Sequence, residues 1–348
     1  MVNKNILKIA SIYIGTLVGA GFASGQEIMC FFTKYGIGGV YGVILTAVLF
    51  SFIGSFILSN VYKHKVSSYN DWIMSIFGMP IGRIIEFILS LLVLSLYCVM
   101  LAGSGALFEE QFGYRKEVGI ILMSLITFMT FLFSMRGLTF VNSILVPLLV
   151  VGIIAVGIFV ISDSHYIIKK VDTTFYTITD NWVLSCLIYV SYNSFGAAMV
   201  LSSMYPLLEN KRVAIISGII GGLGLGFMLF FLFLPTLMLY TDIKGVEIPM
   251  MTIASKLGEN VKLIYGILLW FAMLTTAIAN GFVFIQSIEK RFKINHIIIC
   301  ILFCLGTIPL AKFGFKNLVK TIYPLFGYIG IFIIGLILIK GVNRKNFS

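Results

Sequence analysis

Charge is the scarcest ingredient of this 348-residue sequence. Asp, Glu, Lys and Arg make up 11% of it and hydrophobic residues 59%, whereas about a quarter of a soluble domain is charged. A chain so poor in charge cannot cover a water-facing surface, so most of it is expected in lipid. Histidine is nearly as scarce. The three present, His64, His165 and His296, lie in or beside loops, and no HExxH occurs. Zinc hydrolysis and serine chemistry with a histidine base at depth are thereby excluded. No apolar span carries the aspartates of an aspartyl protease, so an enzyme is not expected. Cysteine lacks the CxxC spacing of a zinc site. Cys30, Cys98, Cys186, Cys300 and Cys304 all fall in apolar segments and read as small buried hydrophobes. Alternating segments of roughly ten residues, the mark of an outer-membrane barrel, are missing too.

What is present is a series of long apolar runs. Residues 219–240, 326–339 and 119–134 contain no charged side chain, and a helix needs about 20 residues to cross a hydrocarbon core. Hydropathy gives ten spans, at 6–32, 39–61, 83–108, 118–135, 138–161, 182–207, 213–241, 261–288, 296–310 and 318–339. The first follows Lys4 and Lys8 as a signal sequence would, but no small-residue cleavage site ends it, so it is expected to remain as the first membrane helix.

The formal charge of +11 comes from short basic clusters between the spans. Such clusters read as topology signals, not as a nucleic-acid surface. With the N-terminus inside, Lys4, Lys8, Lys63, Lys65, Arg83, Arg136, Lys211, Arg212, Lys290, Arg291, Lys293, Lys340, Arg344 and Lys345 are cytoplasmic. The acids Glu109, Glu110, Glu117, Asp163, Asp172, Asp180, Asp242, Glu247 and Glu259 are outside. Lys312, Lys316 and Lys320 run against this trend. Both ends are then cytoplasmic in a multi-pass plasma-membrane protein, with residues 341–348 as a cytoplasmic tail.

The first span is interrupted. Gly15-Thr-Leu-Val-Gly-Ala-Gly-Phe-Ala-Ser-Gly-Gln-Glu27 puts four glycines, Ser24, Gln26 and Glu27 in the middle of an apolar run. Lipid tolerates unwound backbone only where it lines a cavity or is covered by protein. Unwinding frees N–H groups at the start of the second half-helix, where the positive dipole end favours an anionic group. Gly19, Ala20, Gly21, Phe22, Ala23, Ser24 and Gly25 are therefore expected to cradle a solute carboxylate. Close packing of glycines alone would explain Gly15, Gly19 and Gly21, but not the polar pair that follows. The sixth span carries a similar polar insertion, Ser191-Tyr-Asn-Ser-Phe-Gly196, and a second break is expected there. Interrupted helices opening each group of five point to an inverted-repeat transporter, with repeats at 1–161 and 181–340 forming one membrane domain.

The Gly-Ala-Gly-Phe-Ala-Ser-Gly run with its Gln-Glu pair resembles the YkvI-like amino acid permeases of the amino acid–polyamine–organocation superfamily. The resemblance implies an all-α LeuT-type fold with five-plus-five helices, helices 1 and 6 broken, and a small amino acid-like solute as partner. It also implies a sodium site. Coupled members hold the ion between carbonyls of the first helix, here Gly15 and Val18, and a small-x-x-hydroxyl-hydroxyl pattern on the eighth, here Ala272, Thr275 and Thr276. Na+ is the only cofactor expected, as a co-transported ion. The third-helix tyrosine and sixth-helix aromatics that close over substrate in this fold correspond to Tyr97 and Tyr192, with Asn193 and Phe195 beside the latter. Ser104 and Asn280 are further pocket residues by position.

Glu27 is the acid deepest in the membrane, where ionisable residues are functional by default. It can cap free N–H groups, pair with a solute ammonium, or act as a gate. The resulting expectation is a sodium-coupled symporter of an amino acid or similar carboxylate, the alternatives being a proton-coupled or uncoupled permease and a germinant-receptor type of sensor.

Overall fold

The computed structural model describes residues 4–66, 68–133, 138–163, 179–292 and 294–343. Arg136, Lys293, Arg344, Lys345, Asp172, His165, the end of the fourth span at Met135 and the tail beyond residue 343 lie outside them. Among the described residues all regular structure is helical.

The first span is three short pieces, α1 (Lys4–Leu17), α2 (Ala20–Ala23) and α3 (Gln26–Phe31). Unbroken helices α4 (Ile37–His64), α6 (Met79–Phe112), α9 (Trp182–Ser202) and α10 (Lys211–Met238) are each long and apolar enough to cross a bilayer. So are the greater parts of α8 (Leu138–Ser162), α13 (Glu259–Arg291) and α15 (Phe315–Asn343). The broken first span, α7 (Lys116–Phe133) and α14 (His296–Ala311) bring the spans to the ten expected. Short helices α5 (Tyr69–Phe77), α11 (Tyr240–Ile243) and α12 (Pro249–Ser255) lie in the connections. This is a multi-pass membrane protein.

Helix contacts recur at an interval of five spans. Span two packs on span seven (α4 on α10) and span three on span eight (α6 on α13). Spans five and eight meet as ten and three do, and spans two and six as seven and one do. The α4–α10 seam is backbone on backbone. Gly218, Gly222 and Gly226 of α10 face Ser55, Ser51 and Ala47 of α4, and any Cβ on them would strike those residues. Ser55 Oγ donates to Ile215 O at 2.9 Å and Ser51 Oγ to Ile219 O at 3.3 Å. Small residues at four-residue spacing let membrane helices approach this closely.

The expected break in the sixth span is absent: α9 is helical through Ser191–Gly196 and ends only at Ser202. Ser191 and Asn193 find partners without unwinding, while the Ser194 hydroxyl is buried without one. Ser191 Oγ donates to Gly327 O at 2.6 Å and to Ile188 O at 2.9 Å, and Asn193 Nδ2 donates to Tyr189 O at 3.0 Å. Hydroxyls that bond the preceding turn leave the helical backbone ladder intact. Beyond Ser202 the chain turns through a short 3-10 segment, Tyr205–Leu207, before Asn210 caps α10.

Candidate functional site

The chain leaves helix twice in the first span. At the first break Gly19 is extended, with φ −99° and ψ −173°, and its N–H reaches only Leu17 O. At the second, Gly25 has φ 78°, a left-handed conformation that favours glycine, and a Cβ there would come within 2.8 Å of Met250 Cγ. Ser24 bridges the second break, donating to Gly21 O at 2.7 Å while accepting from Gln26 N at 3.2 Å.

Two sets of main-chain groups are left over. Among the described residues, the N–H groups of Ala20, Gly21 and Phe22 have no acceptor, and the carbonyls of Gly15, Thr16 and Val18 have no donor. Buried backbone groups are almost always paired. These six sit where a carboxylate and a cation were expected.

Glu27 folds back from α3 over α2. It is 5% exposed, and its Oε1 lies against Gly21, in the space a side chain there would fill. Tyr192 donates its hydroxyl to Glu27 Oε2 at 2.6 Å. The Tyr323 hydroxyl lies 3.0 Å from the Cβ position of Gly21, and its ring packs on Tyr192 at 4.8 Å. Tyr189 and Phe31 close the cluster. The broken segment is also gripped from outside. Tyr265 of α13 donates to Ala23 O at 2.6 Å, and Met250 N of α12 donates to Ser24 O at 3.1 Å.

On the cation side Gly19 faces α13, its Cβ position 3.8 Å from Thr276 Oγ1. Thr275 is buried and donates to Ala272 O at 3.2 Å. The glycine-rich break, Glu27, Tyr192 and Thr276 are thus brought together. Tyr97 is not among them. It is wedged among α6, α7 and α14, its hydroxyl 2.8 Å from Thr127 Oγ1 and its ring 4.5 Å from Phe303. Ser104 is likewise interhelical, donating to Gly119 O and accepting from Trp270 Nε1. Phe195 is buried one turn beyond Tyr192 on the same face, while Asn193 is held by its own helix. Asn280 is half-buried on α13. Tyr189, Tyr265 and Tyr323 were not anticipated, although each is a tyrosine inside an apolar run, whose hydroxyl needs a partner when buried.

Two cavities open among the helices, of which the smaller reaches the broken first span. One of about 310 Å³, on the face bearing Lys34, reaches down to Gln26 and Met29. The other, about 640 Å³, lies among Arg83, Glu86, Ser90, Ser287 and Arg291 near the starts of α6 and the end of α13.

No family model matches the chain. It is 30% identical over 342 residues to the uncharacterized membrane protein YkvI of Bacillus subtilis (strain 168), covering 97% of this chain and 96% of that protein. The chain belongs to the YkvI family. This YkvI-family protein superimposes on a mutant of the manganese transporter of Eremococcus coleocola with a TM-score of 0.65 at 12% identity, over 100% of this chain and 90% of that one. It superimposes equally well on MhsT in complex with L-phenylalanine, with a TM-score of 0.65 at 14% identity over 100% and 93% of the two chains. The fold is LeuT-type.

Proposed function

We propose that this YkvI-family protein is a secondary active transporter, a sodium-coupled symporter of an amino acid or similar small carboxylate. One observation carries the reading: a helix broken within its span leaves three amides and three carbonyls unpaired beside a buried Glu27. Unwound carbonyls suit an alkali cation and the start of a half-helix suits a carboxylate. The cation would lie among the carbonyls of Gly15 and Val18 with Ala272, Thr275 and Thr276, and the carboxylate at Gly19 to Gly25. The aromatic lid is Tyr192 with Tyr189 and Tyr323, in place of Tyr97. Residues 1–161 and 181–340 form the two repeats, with both termini in the cytoplasm. The recurrence of helix contacts at five spans supports that division.

Manganese, the cargo of one protein of similar fold, fits this site less well. Among the described residues no group of three His, Cys, Asp or Glu side chains could hold a metal ion, and a hard divalent ion is usually held by several oxygen ligands, carboxylates among them. A proton-coupled carrier is the second reading, favoured by Glu27 at the centre of the site.

The test is melting of the purified protein against a panel of amino acids in sodium or potassium, since a ligand of the folded state raises its midpoint. A shift that needs both sodium and an amino acid supports symport. A shift indifferent to sodium would move the coupling to Glu27. Thr276→Ala is expected to weaken sodium dependence roughly tenfold or more, the loss of one charged-group ligand being worth about 1.5–3 kcal/mol, with little change in the ligand-free midpoint. Unaltered sodium dependence in that variant would sink the site assignment.

A further inference from the structure

The cavity of about 640 Å³ has a lining that the symport reading leaves unused. It is a cleft between α6 and α13, which pack on each other. Arg83, Glu86, Phe87 and Ser90 line it from one face of α6, and Ser287 and Arg291 from one face of α13. Ser90 and Ser287 are hydrogen bonded at 2.9 Å, which ties the two helices together at the inner end of the cleft. At its outer end stand Arg83, near the start of α6, and Arg291, the last residue of α13. The Arg291 guanidinium lies over the Phe87 ring, 5.8 Å from its centroid, and is held beside the cleft by that contact.

None of the ion pairs among the described residues takes Arg83, Glu86 or Arg291. Arginines at a surface are often free, but Tyr69 at the start of α5 is not at a surface. It lines the same cleft, is 8% exposed, and its buried hydroxyl has no hydrogen-bond partner. A buried tyrosine hydroxyl usually has one. Burial, followed by the charge of Glu86, pushes this hydroxyl above the usual tyrosine range, so it stays protonated and able to donate.

Two arginines against one glutamate leave the cleft with an excess of positive charge, and guanidinium forks match phosphate oxygens. The walls are also partly apolar. Phe87 and Val283 are exposed, and Ile84 and Leu91 continue an exposed apolar stripe along α6. A soluble anion would leave that stripe unused and set its charge against Glu86. Basic pockets between membrane helices bind lipid headgroups, and a phosphodiester with free hydroxyls offers acceptors to the arginines and Tyr69 and donors to Glu86.

We propose that this cleft binds an anionic phospholipid whose headgroup is a phosphodiester bearing free hydroxyls. The phosphate lies between Arg83 and Arg291, the hydroxyls turn toward Glu86, and an acyl chain follows Phe87 and its neighbours along α6. This goes beyond the symport reading and does not depend on it.

The experiment measures the melting midpoint of the full-length protein, purified in detergent and stripped of lipid. The probes are short-chain phosphatidylglycerol, phosphatidylethanolamine and phosphatidylcholine, with glycerol phosphate and inorganic phosphate as soluble anions. Phosphatidylglycerol is expected to raise the midpoint, the others at equal concentration far less. Arg83→Gln and Arg291→Gln should each weaken its binding roughly fivefold, while Lys312→Gln, exposed and outside the cleft, leaves it unchanged. Tyr69→Phe removes a hydroxyl that no protein group uses. It should weaken phosphatidylglycerol while leaving the lipid-free midpoint in place, and it serves if an arginine variant fails to fold. Either soluble anion reproducing the shift would overturn the lipid as occupant. Phosphatidylcholine or phosphatidylethanolamine matching phosphatidylglycerol, silence of all three cleft variants, or no shift at all would overturn the site. In each of these cases the sodium and amino acid shifts still decide symport by themselves.

Discussion

Gly21 is the residue on which the site closes. Its missing side chain makes room for the Glu27 carboxylate and the Tyr323 hydroxyl together. Gly21→Ala should therefore push Glu27 off the break, at a cost of about 1–3 kcal/mol as for overpacking elsewhere. A lowered ligand-free melting midpoint, together with loss of the amino acid shift, is the expected record. Tyr192→Phe acts differently, removing the donor to Glu27 Oε2 while leaving the ring stack in place. A buried acceptor losing its partner costs about 1–3 kcal/mol, so its midpoint should fall as well. Much of this neighbourhood is legible from the linear sequence. Four glycines, a serine and a Gln-Glu pair inside an apolar run admit few other readings. That Tyr323 from the last span joins them is not legible, because no local pattern encodes which distant helix will face the break.

At the scale of the helix, the first and sixth spans show how similar compositions diverge. Both insert polar residues into an apolar run, but only the first carries Gly19 and Gly25 at the points where the backbone leaves helical geometry. In α9 Ser191 and Asn193 return their hydrogen bonds to the preceding turn, and Gly196 remains helical. Polarity alone was thus a poor guide to unwinding, while polarity joined to closely spaced glycines was a good one. The α4–α10 seam is testable at the same scale. Gly222→Val would drive a branched side chain into the Ser51 backbone, and the midpoint should drop by an amount corresponding to about 3 kcal/mol or more. Recovery of full stability by a compensating change on α4 alone would not be expected, since the obstruction is main chain.

Across the whole molecule, the smaller cavity reaches Gln26 beside the buried Glu27 and the larger lies among other helix ends, and alternating access would open one at the expense of the other. All five cysteines are buried, so a cysteine placed at Lys320 or at Ser287 becomes the principal target for a maleimide. Exchange of sodium for potassium should change the labelling rates at these positions in opposite directions, because opening one approach closes the other. Rates that rise or fall together would instead point to a channel-like widening. The basic residues at 316 and 320 were visible in the sequence as exceptions to the charge asymmetry. Their convergence with Lys34 needed the fold, which brings the end of the first span beside the start of the last.

The glycine seam between α4 and α10 has a mechanical consequence. With backbone pressed on backbone there are few long side chains whose rotamers could rearrange as the two helices slide. The pair should behave as a stiff axle: motion that exposes the site to one face and then the other would be borne by the broken first span and by the looser, aromatic contacts around it.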